Sequence, residues 1–361
     1  MRKLASIELI DKLEPIPNAD NILKATVKGW ECVVAKKDNF SVGDKIIYIE
    51  VDSVCPPKPE FSFLKERKYR VKTIKLRKQI SQGLVLPMSY LKKDYPVGTD
   101  VTAELGITKY DPQAEAEQQF VAKAQHRKVW YSFIFSFLMR FEWFRKIYLK
   151  LHITNSAFPT DIVKKTDEER IQNMTIAFED WKRRKVPFYV TEKIDGCSST
   201  FFLDDNLFGV CSRNVWLRKE DNSHYWEVAR RFQLEETLHS LKKLFGAKRV
   251  VIQGEIIGQS IQKNKYKISG FDFYVFNVII DGMKIDHESM VNVCKEHNLK
   301  TVPLLYKGYT LPDTIPDLVE VSKGKSKLLD TQNREGLVLR HYGENVSFKV
   351  INPIFLLRDD D

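Results

Sequence analysis

Over roughly the first hundred residues the chain alternates short apolar runs with Gly, Asp, Asn and Pro. The runs are ATVKGWECVVAKKDNF (25–40), DKIIYIEVDSVCP (44–56), KYRVKTIKLRKQISQGLVLP (68–87) and GTDVTAEL (98–105). Aromatic and β-branched residues broken by turn formers predict about five short strands and a small β-barrel. From residue 161 onward the pattern changes. SHYWEVARRFQLEETLHSLKKLF (223–245) has helical periodicity, whereas RVVIQGEIIG (249–258), DFYVFNVIIDG (272–282), EGLVLRHYG (335–343) and NVSFKVI (345–351) read as strands. The last two predict a hairpin through Gly343 and Glu344. Antiparallel strands with helices segregated to one side predict an α+β class.

Between these halves lies DPQAEAEQQFVAKAQHRK (111–128), polar and helix-prone, then the aromatic VWYSFIFSFLMRFEWFRKIYLKL (129–151). Trp130, Ile134, Phe137, Phe141, Phe144, Tyr148 and Leu151 recur at helical spacing. A helix packed between two domains is the commoner origin of such a stripe; a helix lying on a membrane surface has the same pattern. The expected organisation is a β domain over 1–105, a helical linker over 106–160 and a mixed α/β domain over 161–361.

The 361 residues suffice for two cores, and 43% hydrophobic with 29% charged residues fits a globular chain. A net charge of +10 suits a polyanionic partner such as nucleic acid, or an anionic membrane surface. Five scattered cysteines with no C-x-x-C pair argue against a disulfide framework and a zinc site, and for a reducing intracellular compartment, cytoplasm or nucleus. The start of the chain lacks a secretory signal, and no stretch of 18 residues is free of charge, so no spanning helix and no stable membrane association are expected.

The densest positive charge is Lys65–Lys78, with Lys65, Arg67, Lys68, Arg70, Lys72, Lys75, Arg77 and Lys78. Read as a strand, it puts Val71, Thr73 and Leu76 on one face and the cations on the other. Such a face either tracks a phosphate backbone, with Arg67, Arg70 and Lys72 as contacts, or guards a solvated sheet edge.

In the carboxyl half, charged residues interrupt otherwise apolar strands: Lys193 after YVTE, Arg213 after FGVCS, Glu255 after VVIQG, Glu335 before GLVLR and Lys349 inside SFKVI. A buried charge is costly unless paired, so five such positions point to a mixed-charge cleft. Cations there suit phosphates and carboxylates suit a divalent ion. The chain has no G-x-x-x-x-G-K-[ST] loop and no H-R-D motif in a kinase context.

The segments EKIDG (192–196), SRN (212–214), QGEIIG (253–258), DFYVFNV (272–278), REGLVLR (334–340) and SFKV (347–350) occur in the order of the covalent nucleotidyltransferase motifs. The chain therefore resembles ATP-dependent polynucleotide ligases and RNA capping enzymes. FPTDIVKKTDEERIQNM and IKLRKQISQGLVLP resemble more narrowly the RNA ligases with an OB module before the catalytic domain. Only eleven residues, Ile351–Asp361, follow SFKV, too few for a barrel, so the small β domain is the N-terminal one. Two positions depart from the pattern: Ser347 stands where many ligases have the first of two lysines, and Lys78 where a glycine is expected.

The resemblance implies an ATP-dependent RNA ligase acting through lysine-AMP and adenylated RNA on 3′-hydroxyl and 5′-phosphate ends, with an OB-like N-terminal barrel and an ATP-grasp-like nucleotidyltransferase domain. It implies Lys193 as nucleophile and Lys349 on the α-phosphate. Glu192, Ile194, Arg213 and Phe276 would contact the nucleotide, with Lys165 and Arg170 as further contacts or as a helix-start ion-pair cluster. Asp195, Glu255 and Glu335 would position waters on Mg²⁺ or Mn²⁺, Glu255 alternatively meeting the ribose. Phe276 stacks on adenine or fills a core. A monomer acting on RNA is expected. A non-catalytic RNA-binding relic and an ATP-dependent DNA ligase are the alternatives.

Overall fold

The computed structural model describes residues 3–110, 155–217 and 223–356. The aromatic stripe at 130–151 lies outside the described residues. Among those described, no helix is long and apolar enough to cross a membrane, and all five cysteines are free.

In the N-terminal unit, Lys45–Ile49 runs between Ala5–Leu9 and Leu84–Pro87, antiparallel to both. Its alternate side chains enter two cores. Ile47 and Ile49 join Ile7, Leu86 and Phe61, whereas Ile46 and Tyr48 join Trp30, Cys32 and Val34. A period of two puts neighbours on opposite faces, so a strand between two cores reads as a continuous apolar run. Lys12–Pro15, Ile22–Val27 and Trp30–Ala35 form a second three-stranded sheet. Among the described residues the ladders do not close into one continuous barrel; they remain short separate sheets.

The basic segment is not one strand. Pro59–Arg67 is a 3₁₀ helix that opens on proline and ends at Lys68 in the left-handed region, φ 52°. Tyr69 follows at φ 60°, Arg70 makes a single antiparallel bridge to Val54, and Ile74–Leu76 pairs as a short strand with Gln79–Ser81. The two left-handed residues break the alternation, and a period of two would in any case set Arg67 on the face opposite Arg70 and Lys72. Arg70 pairs with Asp52 and its guanidinium lies 3.5 Å over the Tyr110 ring, while Arg67 and Lys72 are exposed. Val71 is buried as expected, but Thr73 and Leu76 are exposed. Lys78 takes φ 67° after Arg77 at 51°, the backbone of a two-residue primed hairpin turn. That explains why a glycine suits its position.

The carboxyl half is built on two sheets. In the larger, Cys197–Asp204, Arg249–Gly258 and Phe271–Ile280 are the central antiparallel strands. Asn155–Ala157 pairs at its far edge with Val215–Leu217. In the smaller, Gly336–His341 lies between Phe188–Lys193 and Ser347–Ile351. The expected hairpin through Gly343 and Glu344 is present. Helices His224–Arg231 and Leu234–Phe245 pack on the larger sheet, and Thr175–Arg183 and Ile315–Ser322 on the smaller.

The N-terminal unit meets the smaller sheet's side through the turn before Trp30. A Cβ on Gly29, at φ +78°, would come 3.0 Å from Ile315 Cγ2, so glycine serves both turn and contact. The Arg170 guanidinium lies 5.0 Å from the Trp30 ring centroid.

Candidate active site

The register of the smaller sheet selects which side chains share a face. Lys193 stands opposite Gly336, Thr191 opposite Val338 and Tyr189 opposite Arg340; Val338 and Arg340 stand opposite Lys349 and Ser347. The other parity, Phe188, Val190, Leu337, Leu339, Phe348 and Val350, fills the core under the helices. Lys193, Thr191, Val338, Arg340 and Lys349 thus face a cavity of about 390 Å³ between the two sheets. Glu255 and Phe276 come from the larger sheet.

After Lys193 the chain must turn at once. Asp195 N donates to Tyr266 Oη at 2.9 Å, and Gly196 N donates to Glu255 Oε1 at 3.1 Å. A Cβ on Gly196 would stand 2.3 Å from the Ile256 carbonyl oxygen, so only glycine fits between lysine strand and carboxylate strand. Lys193 Nζ donates to Glu335 Oε2 at 2.7 Å.

Burial and charge pull against each other here. Burial disfavours the Lys193 ammonium, but Glu335, Glu255 and Asp195 outweigh it and raise its pKa above the ordinary lysine value. Burial pushes Glu255 up to about 8 and raises Glu335 as well, each partly offset by Lys193. Lys349 goes the other way, to about 8, because burial and then Lys193 and Arg170 disfavour its charge.

Nine residues expected at the site line this cavity: Glu192, Lys193, Ile194, Asp195, Arg213, Glu255, Phe276, Glu335 and Lys349. Several are already engaged. Glu192 is buried and its Oε2 accepts from Lys327 N at 2.7 Å, so its carboxylate serves the 326–327 loop. Asp195 Oδ2 accepts from Lys265 Nζ at 2.8 Å, and Arg213 pairs with Asp167 at 2.6 Å. Among the described residues no three His, Cys, Asp or Glu side chains are grouped to ligate a metal directly. Asp195, Glu255 and Glu335 are thus not a direct ligand set.

Lys165 and Arg170 stand outside the cavity lining. Lys165 Nζ donates to Asn214 Oδ1 at 3.3 Å, and Arg170 turns to Trp30 although its strand pairs with that of Lys349. Ser347 Oγ donates to Glu168 Oε2 at 2.7 Å and accepts from Lys284 Nζ at 3.4 Å, so a lysine from another strand meets the serine. Sequence reasoning missed Thr191, Val338 and Arg340. Their signal was the two-residue spacing inside YVTEK and EGLVLR, which carries the face of Lys193 into its neighbour.

Residues 186–351 match the RNA ligase family model, and residues 4–88 match an OB-fold domain model. The chain is similar throughout to the Naegleria gruberi RNA ligase. The form with PPi is 31% identical, with 100% of each chain covered and a TM-score of 0.72. A mutant of that ligase with AMP and Mn is 30% identical, again with 100% of each chain covered and a TM-score of 0.73. Another, with ATP and Mn, is 30% identical at the same coverage, TM-score 0.72. No curated protein matches the chain.

Proposed function

The chain belongs to the RNA ligase family, and we propose that it uses ATP to join RNA 3′-hydroxyl and 5′-phosphate ends, with Lys193 as the adenylated nucleophile. The observation that carries this reading is the set around Lys193: a cavity-facing amine 2.7 Å from Glu335, with Glu255 and Lys349 lining the same space. The Naegleria gruberi ligase binds PPi, AMP, ATP and Mn in its several forms, which supports ATP and a divalent ion here.

Amine attack requires that Lys193 lose a proton. Glu335 Oε2 is placed to take it, and burial raises that carboxyl toward a useful basicity. The neutral Nζ then forms a bond to the α-phosphorus of ATP, the bond to the bridging oxygen breaks, and pyrophosphate leaves. Lys349 stabilises the charge on the α-phosphate. An RNA 5′-phosphate next displaces the lysine and takes the AMP. Finally a 3′-hydroxyl attacks that phosphate, AMP departs, and a phosphodiester remains.

A divalent ion fits the site through water. Two half-buried carboxylates, Glu255 and Glu335, converge on Lys193, and among the described residues no group of three such side chains stands ready to ligate a metal directly. When bound, Mg²⁺ or Mn²⁺ supplies positive charge that offsets the phosphates and favours the neutral amine. Phe276 and Val338 offer apolar walls for adenine, with Ile194 and Arg213 beside the nucleotide. Residues 161–361 carry adenylation and residues 1–105 bind RNA, in a monomer.

Incubation with α-labelled ATP and Mg²⁺ or Mn²⁺ tests the reading. The protein should gain an acid-labile AMP. Lys193→Ala should gain none yet still seal a pre-adenylated RNA nick, and Lys193→Arg should fail equally because guanidinium stays protonated. Label on Lys193→Ala removes the nucleophile assignment. Parallel sealing of RNA and DNA nicks separates RNA from DNA ligation.

A further inference from the structure

Arg340 is a cation at the cavity wall with most of its donors unused. Its Nη1 donates to Thr191 Oγ1 at 2.7 Å. That hydroxyl is itself committed to the Val338 carbonyl oxygen at 3.3 Å. The Arg340 Nε is shut away from solvent and has no hydrogen-bond partner. Among the described residues Arg340 makes no ion pair, and Glu168 offsets its charge only at longer range. A guanidinium carries five N–H donors and no acceptor. Leaving a shielded donor unmet is costly, so the position is explained best by an acceptor that arrives with a ligand.

The register says which end of the ligand that is. Lys193 stands opposite Gly336, and from Gly336 to Arg340 the strand advances about 13 Å. The charges that act on Lys193 and Lys349 are Glu335, Glu255, Asp195, Asp167, Arg170 and Arg213. Arg340 acts instead on Lys284 and His287, on the far side. It therefore belongs to the end of the cavity away from the reacting phosphate. Phe276 marks that end as well: it and Arg340 both line this cavity and the one adjoining it. A nucleotide whose α-phosphate meets Lys193 directs its base there, between Phe276 and Val338. The ring nitrogens of adenine are acceptors, the complement of a donor-only group.

Building on the ligase reading, we propose that Arg340 contacts the ATP base, donating from its free N–H groups to a ring nitrogen of adenine, and so helps determine nucleotide choice. Thr191 holds the guanidinium in place for this contact.

Lysine adenylation by the full chain, measured with ATP and with 1-, 3- and 7-deaza-ATP, tests the contact atom by atom. In the wild type, one analogue should show an apparent KM about tenfold above that of ATP, the effect of one charge-assisted hydrogen bond. Arg340→Met should raise the KM for ATP by about the same factor, with kcat within about threefold, and the penalty for that analogue should vanish. Arg340→Lys keeps the charge but loses the fork; its KM should fall between the two. If Arg340→Met melts far below the wild type, the wild-type series and Arg340→Lys decide. Three analogues equal to ATP in the wild type overturn the proposal. So does a penalty undiminished in the variants, or a loss confined to kcat. A wild type that takes no label at all overturns the ligase reading, whereas a labelled wild type indifferent to every analogue overturns only the role of Arg340.

Discussion

Lys349 and Glu255 are both shifted to about 8, from opposite directions, because each is half-buried and has a different neighbour set. Lys349, at about 8, loses its charge as pH rises through that value. If it holds the α-phosphate, the KM for ATP should climb above about pH 8, approaching tenfold per unit if that contact dominates. Lys349→Arg keeps its charge, so its KM should stay flat over the same range; a parallel rise in the variant assigns the titration elsewhere. Glu255 is raised to about 8, so the folded protein binds its proton more tightly than the unfolded chain does. Its contribution to stability is therefore lost as pH rises from the ordinary carboxyl range through about 8. Glu255→Gln retains an oxygen for Gly196 N and cannot ionise. Its melting temperature should match the wild type near pH 4 and exceed it increasingly toward pH 9, while adenylation falls at least about tenfold. A melt that drops by several degrees at both pH values would make Glu255 a structural residue first. The charged residues interrupting apolar strands were legible in the sequence, because charge inside a buried run has few innocent explanations. Their pairings were not: Lys193 with Glu335 depends on the register between strands distant in sequence, and Asp195 with Lys265 on two loops that meet in space.

At the scale of the element, alternation exposed the strands that bury one parity, such as Trp30–Ala35, where Trp30, Cys32 and Val34 are buried and the intervening residues less so. It failed over Lys65–Lys78, because the residues that redirect the chain are Lys68, Tyr69, Arg77 and Lys78, none of which advertises a left-handed conformation. Only glycine adopts that region without penalty. The resemblance to RNA ligases flagged one of these, Lys78, as a glycine position, and the hairpin turn supplies the physical reason. Lys78→Gly should consequently stabilise the hairpin. The expected gain is at most about 1 kcal/mol, a rise of about 2–4 °C in melting temperature. Lys78→Val, β-branched at the same φ, should lower it. A fall with glycine would mean that the exposed lysine makes a contribution larger than the backbone strain it carries.

For the whole molecule, the proposed reading divides the chemistry between the two units. The proposed nucleotide contacts lie between the two sheets of the carboxyl half, and the N-terminal unit abuts the smaller sheet's flank through Gly29 and Trp30. ATP is small enough for the cavity; an RNA duplex is not, and a chain of net charge +10 has cations to spare for its backbone. The N-terminal cations are not equivalent, however. Arg70 is committed to Asp52 and Tyr110, whereas Arg67 and Lys72 are exposed. Replacing Arg67 and Lys72 with alanine should weaken binding to a nicked RNA duplex and reduce the slope of log affinity against log salt by about 1.8, two released counterions at about 0.9 each. Lysine adenylation should be unchanged, since no proposed ATP contact is touched. Arg70→Ala should do the converse, lowering the melting temperature and leaving the salt slope as it was. An unaltered slope in the double variant would reduce Arg67 and Lys72 to solvated surface charges and move the RNA track to another face of the N-terminal unit.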